Sequence, residues 1–262
     1  MGGSIDMDKV MRSRVFAVFL AALIASLSTP PALANGFESW AAIVVAGDFR
    51  AHSGMPAEVF DNGRRDIAKA LSNLGFAQSH IKQFSVRPDL DKETHPLTSD
   101  IDIIRTEFKK LAQQGSGGCM LYFTSHGGQD GILVGNMVVS PRTIAQMVEE
   151  SCNDRMTVVV VSACFSGVFV PPLQSPNRMI MTAARRDRTS FGCGETDKYT
   201  YFDQCVLESL PLSRNFPALG SKVQDCVAAR ETAEGATPPS EPQLSIGYNV
   251  SQVLAAYAFT GN

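Results

Sequence analysis

The feature that most constrains this chain is a set of short apolar runs with almost no polar alternation: "WAAIVVAGD" from Trp40, "CMLYFTS" from Cys119, "MTVVVVSA" from Met156 and "NRMIMTAA" from Asn177. A strand with one wet face alternates apolar and polar residues, whereas a strand buried on both faces reads as a continuous run. Between these runs lie segments with helical spacing. "AEVFDNGRRDIAKALSNLGF" places Ile67, Ala70, Leu71 and Leu74 on one face and stops at Gly75, and "TSDIDIIRTEFKKLAQQG" is amphipathic with Ser99 or Asp100 as its N-cap. "SPRTIAQMVEES" has Ser140 as cap and Pro141 in its first turn. Strand and helix in alternation require a mostly parallel sheet covered on both faces.

The remaining segments complete that layout. "HIKQFSV" is a further short strand, and "GILVGNMVVS" a hairpin turning at Gly135-Asn136. "PPLQSPN" reads as loop. "YTYFDQCVLESLP" is helical up to Pro211, and "ALGSKVQDCVAARETAE" is a second late helix. "LSIGYNV" is the last strand.

The first 34 residues are set apart. Arg12 and Arg14 precede an apolar run from Val15 to Leu27, and an Ala-x-Ala ends at Ala34, the pattern of a cleaved secretory signal peptide. That run is shorter than the roughly 18 residues a membrane-spanning helix needs, so no anchor is expected after cleavage. The remainder, residues 35–262, suffices for one α/β domain. It carries 20 basic and 24 acidic residues once the leader's three and two are set aside, a balance that argues against nucleic acid as a partner.

Six cysteines stand at positions 119, 152, 164, 193, 205 and 226, with no Cys-x-x-Cys pair, which argues against a metal centre. In an oxidising compartment, Cys205 with Cys226 is the first pairing the layout suggests and Cys119 with Cys152 the second. If Cys164 stays reduced, the odd number left implies at least one more free thiol.

Two strands end on residues that carry chemistry. "LYFTSHGG" leaves His126 at a strand end before Gly127 and Gly128, and "TVVVVSACFSG" leaves Cys164 at another. Singly, a strand-end histidine is more often a turn residue and a buried cysteine a small hydrophobe. On the carboxyl ends of adjacent strands, where α/β sheets gather their chemistry, they form a thiol and imidazole pair. The small Gly127 lets a substrate approach, with its amide aimed at a developing oxyanion.

An apolar strand ending in Ser-His-Gly-Gly, followed by one ending in Ser-Ala-Cys-Phe-Ser-Gly, resembles the legumain-like cysteine peptidases of family C13, which share the fold of caspases and gingipains. The likeness extends from "WAAIVVAG" through "TAARRDRTSFGC" to "YTYFDQCVLESL". It implies a caspase-like three-layer α/β/α sandwich around a mostly parallel sheet. It also implies His126 and Cys164 as a catalytic dyad, with the amides of Gly127 and Cys164 as oxyanion hole. Asn62 would then support the histidine, and Arg64 and Ser190 would border the primary specificity pocket. The segment Asn62-Gly63-Arg64-Arg65-Asp66 departs from the family's Asn-x-Arg-His in its last position.

The same resemblance implies an exported, bacterial-type endopeptidase, periplasmic or secreted. It would cleave peptide or protein substrates after Asn or Asp through an acyl-thioester, without a cofactor. The run Arg185 to Arg188 either favours an acidic substrate side chain or is a solvated loop face. Transpeptidation by the same thioester and a catalytically silent peptide-binding protein are the alternatives. Oligomeric state is not legible in the residues.

Overall fold

The computed structural model describes residues 1–2 and 36–259; the expected leader, its first two residues apart, lies outside them. Seven strands form one sheet: β1 (Ala41–Ala46), β2 (Ile81–Ser85), β3 (Leu97–Thr98), β4 (Cys119–Thr124), β8 (Thr157–Ser162), β9 (Arg178–Thr182) and β10 (Gln243–Ile246). Their spatial order is β10-β9-β8-β4-β1-β2-β3, parallel throughout except for β10, which runs antiparallel to β9. A second, three-stranded sheet holds β5 (Gly127–Gly128), β6 (Gly131–Val134) and β7 (Met137–Val139). The hairpin expected at Gly135-Asn136 joins β6 to β7.

The apolar runs are buried for the reason their pattern gives. Residues of β1, β4 and β8 alternate between two cores. Ala42, Val44, Met120, Tyr122, Val158 and Val160 pack with α1 (Val59–Asn73), α5 (Tyr201–Ser209), α6 (Phe216–Glu234) and α7 (Tyr248–Ala256). Ile43, Val45, Leu121, Phe123, Val159 and Val161 face α2 (Ile101–Gln114) and α3 (Pro141–Cys152). Helices cover both faces, so the three-layer sandwich is borne out.

Local signals match as well. Asp100, rather than Ser99, caps α2, accepting from the amides of Asp102 and Ile103, while the Ser99 hydroxyl donates to the Ala46 carbonyl. Ser140 caps α3 through the Thr143 amide. Two expectations need correction. "PPLQSPN" is loop only from Gln174, because Val170–Leu173 form one turn of helix, α4, with Pro171 and Pro172 near its start, where a missing amide costs nothing. "LSIGYNV" remains a strand only to Ile246, since Gly247 opens α7 and buries Val250 and Leu254 against the sheet.

Disulfides join Cys119 to Cys152 and Cys205 to Cys226, leaving Cys164 and Cys193 free among the described residues. The first ties the start of β4 to the last residue of α3, and the second ties α5 to α6. Closing a loop of 33 residues constrains the unfolded chain. The double variant Cys119→Ala/Cys152→Ala is expected to lose about 3–4 kcal/mol of stability, read from urea midpoints with the slope held common.

Candidate active site

The strand order reverses direction between β1 and β4, and the crevice at such a switch point opens beyond the strands' carboxyl ends. β4 and β8 pair in register up to Thr124 with Ser162, and the Ser125 amide makes one further bond to the Ser162 carbonyl, 3.1 Å. His126 and Cys164 each stand two residues beyond that last pair. Both are half-buried, at the end of a rigid strand and open to solvent on one side.

The ring of His126 is held from two directions. Its Nε2 lies 2.9 Å from the main-chain carbonyl of Arg50, in the segment after β1. A carbonyl only accepts, so Nε2 carries the proton and Nδ1 is the nitrogen left with a lone pair. Phe60, in the first turn of α1, meets the imidazole edge to face with centroids 5.0 Å apart. The Arg50 segment is itself fixed, because the buried Asp48 carboxylate accepts from the Phe49 amide at 2.7 Å and from Arg50 Nε at 3.0 Å.

Around Cys164 the partner is Ser190. The Ser190 amide points at Cys164 Sγ from 3.2 Å, with the Ser190 hydroxyl at 3.5 Å. The Ser190 carbonyl, 3.6 Å away, accepts from the thiol, so main chain and side chain of Ser190 together fix the position of the sulfur. Phe165 adopts a left-handed conformation, φ 58°, and its amide bonds the Arg188 carbonyl, turning the chain sharply away from the sulfur. The second free thiol, Cys193, packs against Phe60 and its neighbours. Its pKa is pushed up to about 11 by burial and by the charges of Cys164 and Asp197, so it stays protonated near neutral pH.

Gly127 lies against the backbone of Cys164. A Cβ there would stand 2.4 Å from the Cys164 carbonyl oxygen and 2.9 Å from Ala163 Cβ, so only glycine fits. The Leu133 amide bonds the His126 carbonyl, which makes Gly127 with Ile132 a pair that exchanges no hydrogen bonds. The Gly127 N–H is therefore turned away from β6.

Asn62 and Arg64 do not join this site. Asn62 lies in α1, its amide donating to the Lys198 carbonyl and its oxygen accepting from Arg65, and the support of His126 comes instead from the Arg50 carbonyl. Arg64 is fully buried. Its Nε meets Asp61 at 3.0 Å, Nη1 meets Gln83 and Thr94 at 2.6 and 2.9 Å, and Nη2 meets Asp91 at 2.5 Å. With every guanidinium nitrogen engaged and the side chain fully buried, Arg64 is a structural centre, not a group presented to a substrate. Of the arginine run, Arg185 and Arg188 pair with Asp187 and Glu241, while Arg186 is exposed and makes no ion pair among the described residues. Sequence reading missed Asp48, Arg50, Phe60 and Cys193; a main-chain carbonyl leaves no mark on residue identity.

Burial tends to raise the pKa of Asp91, but the Thr94 amide and hydroxyl and the Arg64 guanidinium prevail and hold it well below the usual carboxylate range. Because the folded-state value is depressed, that stabilisation is present above the unfolded pKa of about 4 and is lost as pH falls below it. Arg64→Leu, which strands buried Asp61 and Asp91, is expected to cost about 3–5 kcal/mol near neutral pH. The difference from wild type should narrow below about pH 4, as urea titrations at both pH values would show.

Comparison with known proteins agrees with this architecture. Residues 90–210 match the family model described as the Peptidase C13 family, a span that includes both His126 and Cys164. No curated protein matches the sequence. Among solved structures, the crystal structure of caspase-1 from Spodoptera frugiperda superposes with a TM-score of 0.58 at 15% identity, covering 81% of this chain and 88% of that one. At that identity the likeness is one of fold.

Proposed function

We propose that this chain, whose residues 90–210 match the Peptidase C13 family, is a cysteine endopeptidase that works through a dyad of Cys164 and His126. The observation that carries the reading is the tautomer imposed on His126. With Nε2–H donated to the Arg50 carbonyl, Nδ1 is free to take the thiol proton and return it to the departing amine. The Cys164 sulfur, held in place by Ser190 and relieved of its proton by His126, attacks the peptide carbonyl. The Gly127 N–H, turned away from β6, meets the oxygen as its charge develops. Departure of the amine leaves an acyl-thioester on Cys164, and water, deprotonated by His126, releases the acid and restores the thiol. No step calls for a metal or an organic cofactor.

Cleavage after Asn or Asp is the specificity the C13 resemblance suggests. Ser190 borders the sulfur, and Arg186 is the one arginine of its run left to meet an acidic side chain. Export to an oxidising compartment belongs to the same proposal. It is supported by the two disulfides and by the leader-like composition before Asn35.

The test is a fluorogenic peptide library varied at the residue before the cleaved bond, assayed from about pH 4 to 8 across the histidine range. Wild type should cleave after Asn or Asp, and Cys164→Ala and His126→Ala should each abolish it. A wild type that cleaves nothing, with its thiol alkylated at an ordinary rate, would overturn the reading in favour of peptide binding without turnover. Gly127→Ala should lower kcat by about 10²–10³ with a smaller change in KM, because the methyl clashes with the Cys164 carbonyl and pushes the Gly127 N–H out of line with the substrate oxygen. Steady-state kinetics on the best peptide would measure it.

A further inference from the structure

We infer that Asp203 is the positioning residue that holds the strand bearing His126 and the strand bearing Cys164 in catalytic relation. The inference rests on the peptidase reading above, and its starting point is a polar cluster in an otherwise apolar layer. Asp203, on α5, is fully buried beneath the carboxyl ends of β4 and β8. Its Oδ1 accepts from the Tyr122 hydroxyl at 2.7 Å and its Oδ2 from the Thr124 hydroxyl at 2.6 Å. The hydroxyls of Ser162 and Thr200, 3.1 Å apart, complete the ring of donors.

Two of those four hydroxyls occupy particular places. Thr124 lies two residues before His126 and Ser162 two residues before Cys164, and they form the last directly paired residues of β4 and β8. Beyond them the ladder has one more bond and then stops, so nothing in the sheet itself keeps the two strand ends from splaying. The first turn of α5 supplies that restraint: its Asp203 carboxylate takes the Thr124 hydroxyl of β4, and its cap Thr200 takes the Ser162 hydroxyl of β8. Thr200 caps α5 through the Asp203 amide, fixing the helix that delivers the carboxylate. α1 closes over it at Gly63, where a Cβ would stand 2.6 Å from Oδ2.

The chemistry of the cluster argues against a purely stabilising role. Burial raises the Asp203 pKa, the hydroxyls of Thr124, Tyr122, Ser162 and Thr200 oppose it, and Asp203 makes no ion pair among the described residues. An apolar residue would fill the same space without desolvating a carboxylate, so what the carboxylate adds is directional acceptors that tie the first turn of α5 to the strand end.

The experiment compares four single variants of the whole chain: Asp203→Asn, Thr124→Val, Ser162→Ala and, as control, Thr157→Val. The control removes an equally buried hydroxyl bond, from Thr157 to the Arg155 carbonyl, at the opposite end of β8. Two quantities are read. One is the pH profile of Cys164 alkylation by iodoacetamide, followed on its own peptide by mass spectrometry so that Cys193 does not contribute. The other is kcat and KM on a cleaved peptide, per thiol titrated. Asp203→Asn should slow alkylation about fivefold or more and lower kcat about tenfold or more, with KM within about twofold. Thr124→Val and Ser162→Ala should move the same way by smaller factors, while Thr157→Val lowers the melting temperature and leaves both rates in place. Unchanged rates in Asp203→Asn, or losses that track melting temperature across all four variants, would overturn the inference. Should Asp203→Asn fail to fold, the contrast of Thr124→Val and Ser162→Ala with Thr157→Val decides it. A wild type that alkylates fast yet cleaves no peptide counts against the peptidase reading alone, since the alkylation series still judges Asp203.

Discussion

Six consecutive residue pairs, from Cys119 with Thr157 to Thr124 with Ser162, join β4 to β8 in parallel at the centre of the sheet. Side chains in a strand alternate with a period of two, so a slip of one residue would exchange the two faces of β8. It would send Val158 and Val160 toward α2 and α3 and their neighbours toward α1 and α5. Both faces are dry, and the register is accordingly specified by two cores at once. The same register puts a histidine and a cysteine at equal heights above the sheet. Burial therefore positions the thiol and the imidazole before either makes any polar contact.

Two buried charged centres stand on α1 and α5, and they are built on opposite principles. Arg64 is surrounded by carboxylates and amide oxygens, a closed ion network that joins α1 to the loop after β2. Asp203 has only hydroxyls for company. An ion network is rigid because removing either partner leaves a bare charge. A carboxylate among hydroxyls is directional but adjustable, since each donor rotates about its own bond. The first suits a fixed wall of the fold, and the second suits the place where two strand ends meet a helix.

The fold was legible because its signals are repetitive. Continuous apolar runs, helical spacing and capping residues each occur several times and agree with one another. The juxtaposition of His126 and Cys164 was legible because both sit at strand ends, in an order that resembles a known family. What escaped was carried by single atoms or by distant partners. Arg64 stands after Asn62 in a motif-like segment, but that segment falls inside α1, where its spacing serves helix packing and an ion network. Short motifs read without their secondary structure mislead in this way. Asp203 gave no signal at all, because an aspartate in the first turn of a helix is ordinary until two strands are known to end beneath it.

His126 takes its one polar anchor from the backbone of Arg50 and not from a side chain. Position 50 is thereby released from selection on behalf of the histidine, since every amino acid brings the same carbonyl. Drift there is limited only by what the guanidinium does for Asp48 and for the surface beside it. The anchoring demand passes instead to whatever shapes the path of the chain after β1, above all the buried Asp48 that captures the Phe49 amide. The demand that His126 places on the chain is thus written at position 48, two residues away from the atom that touches it.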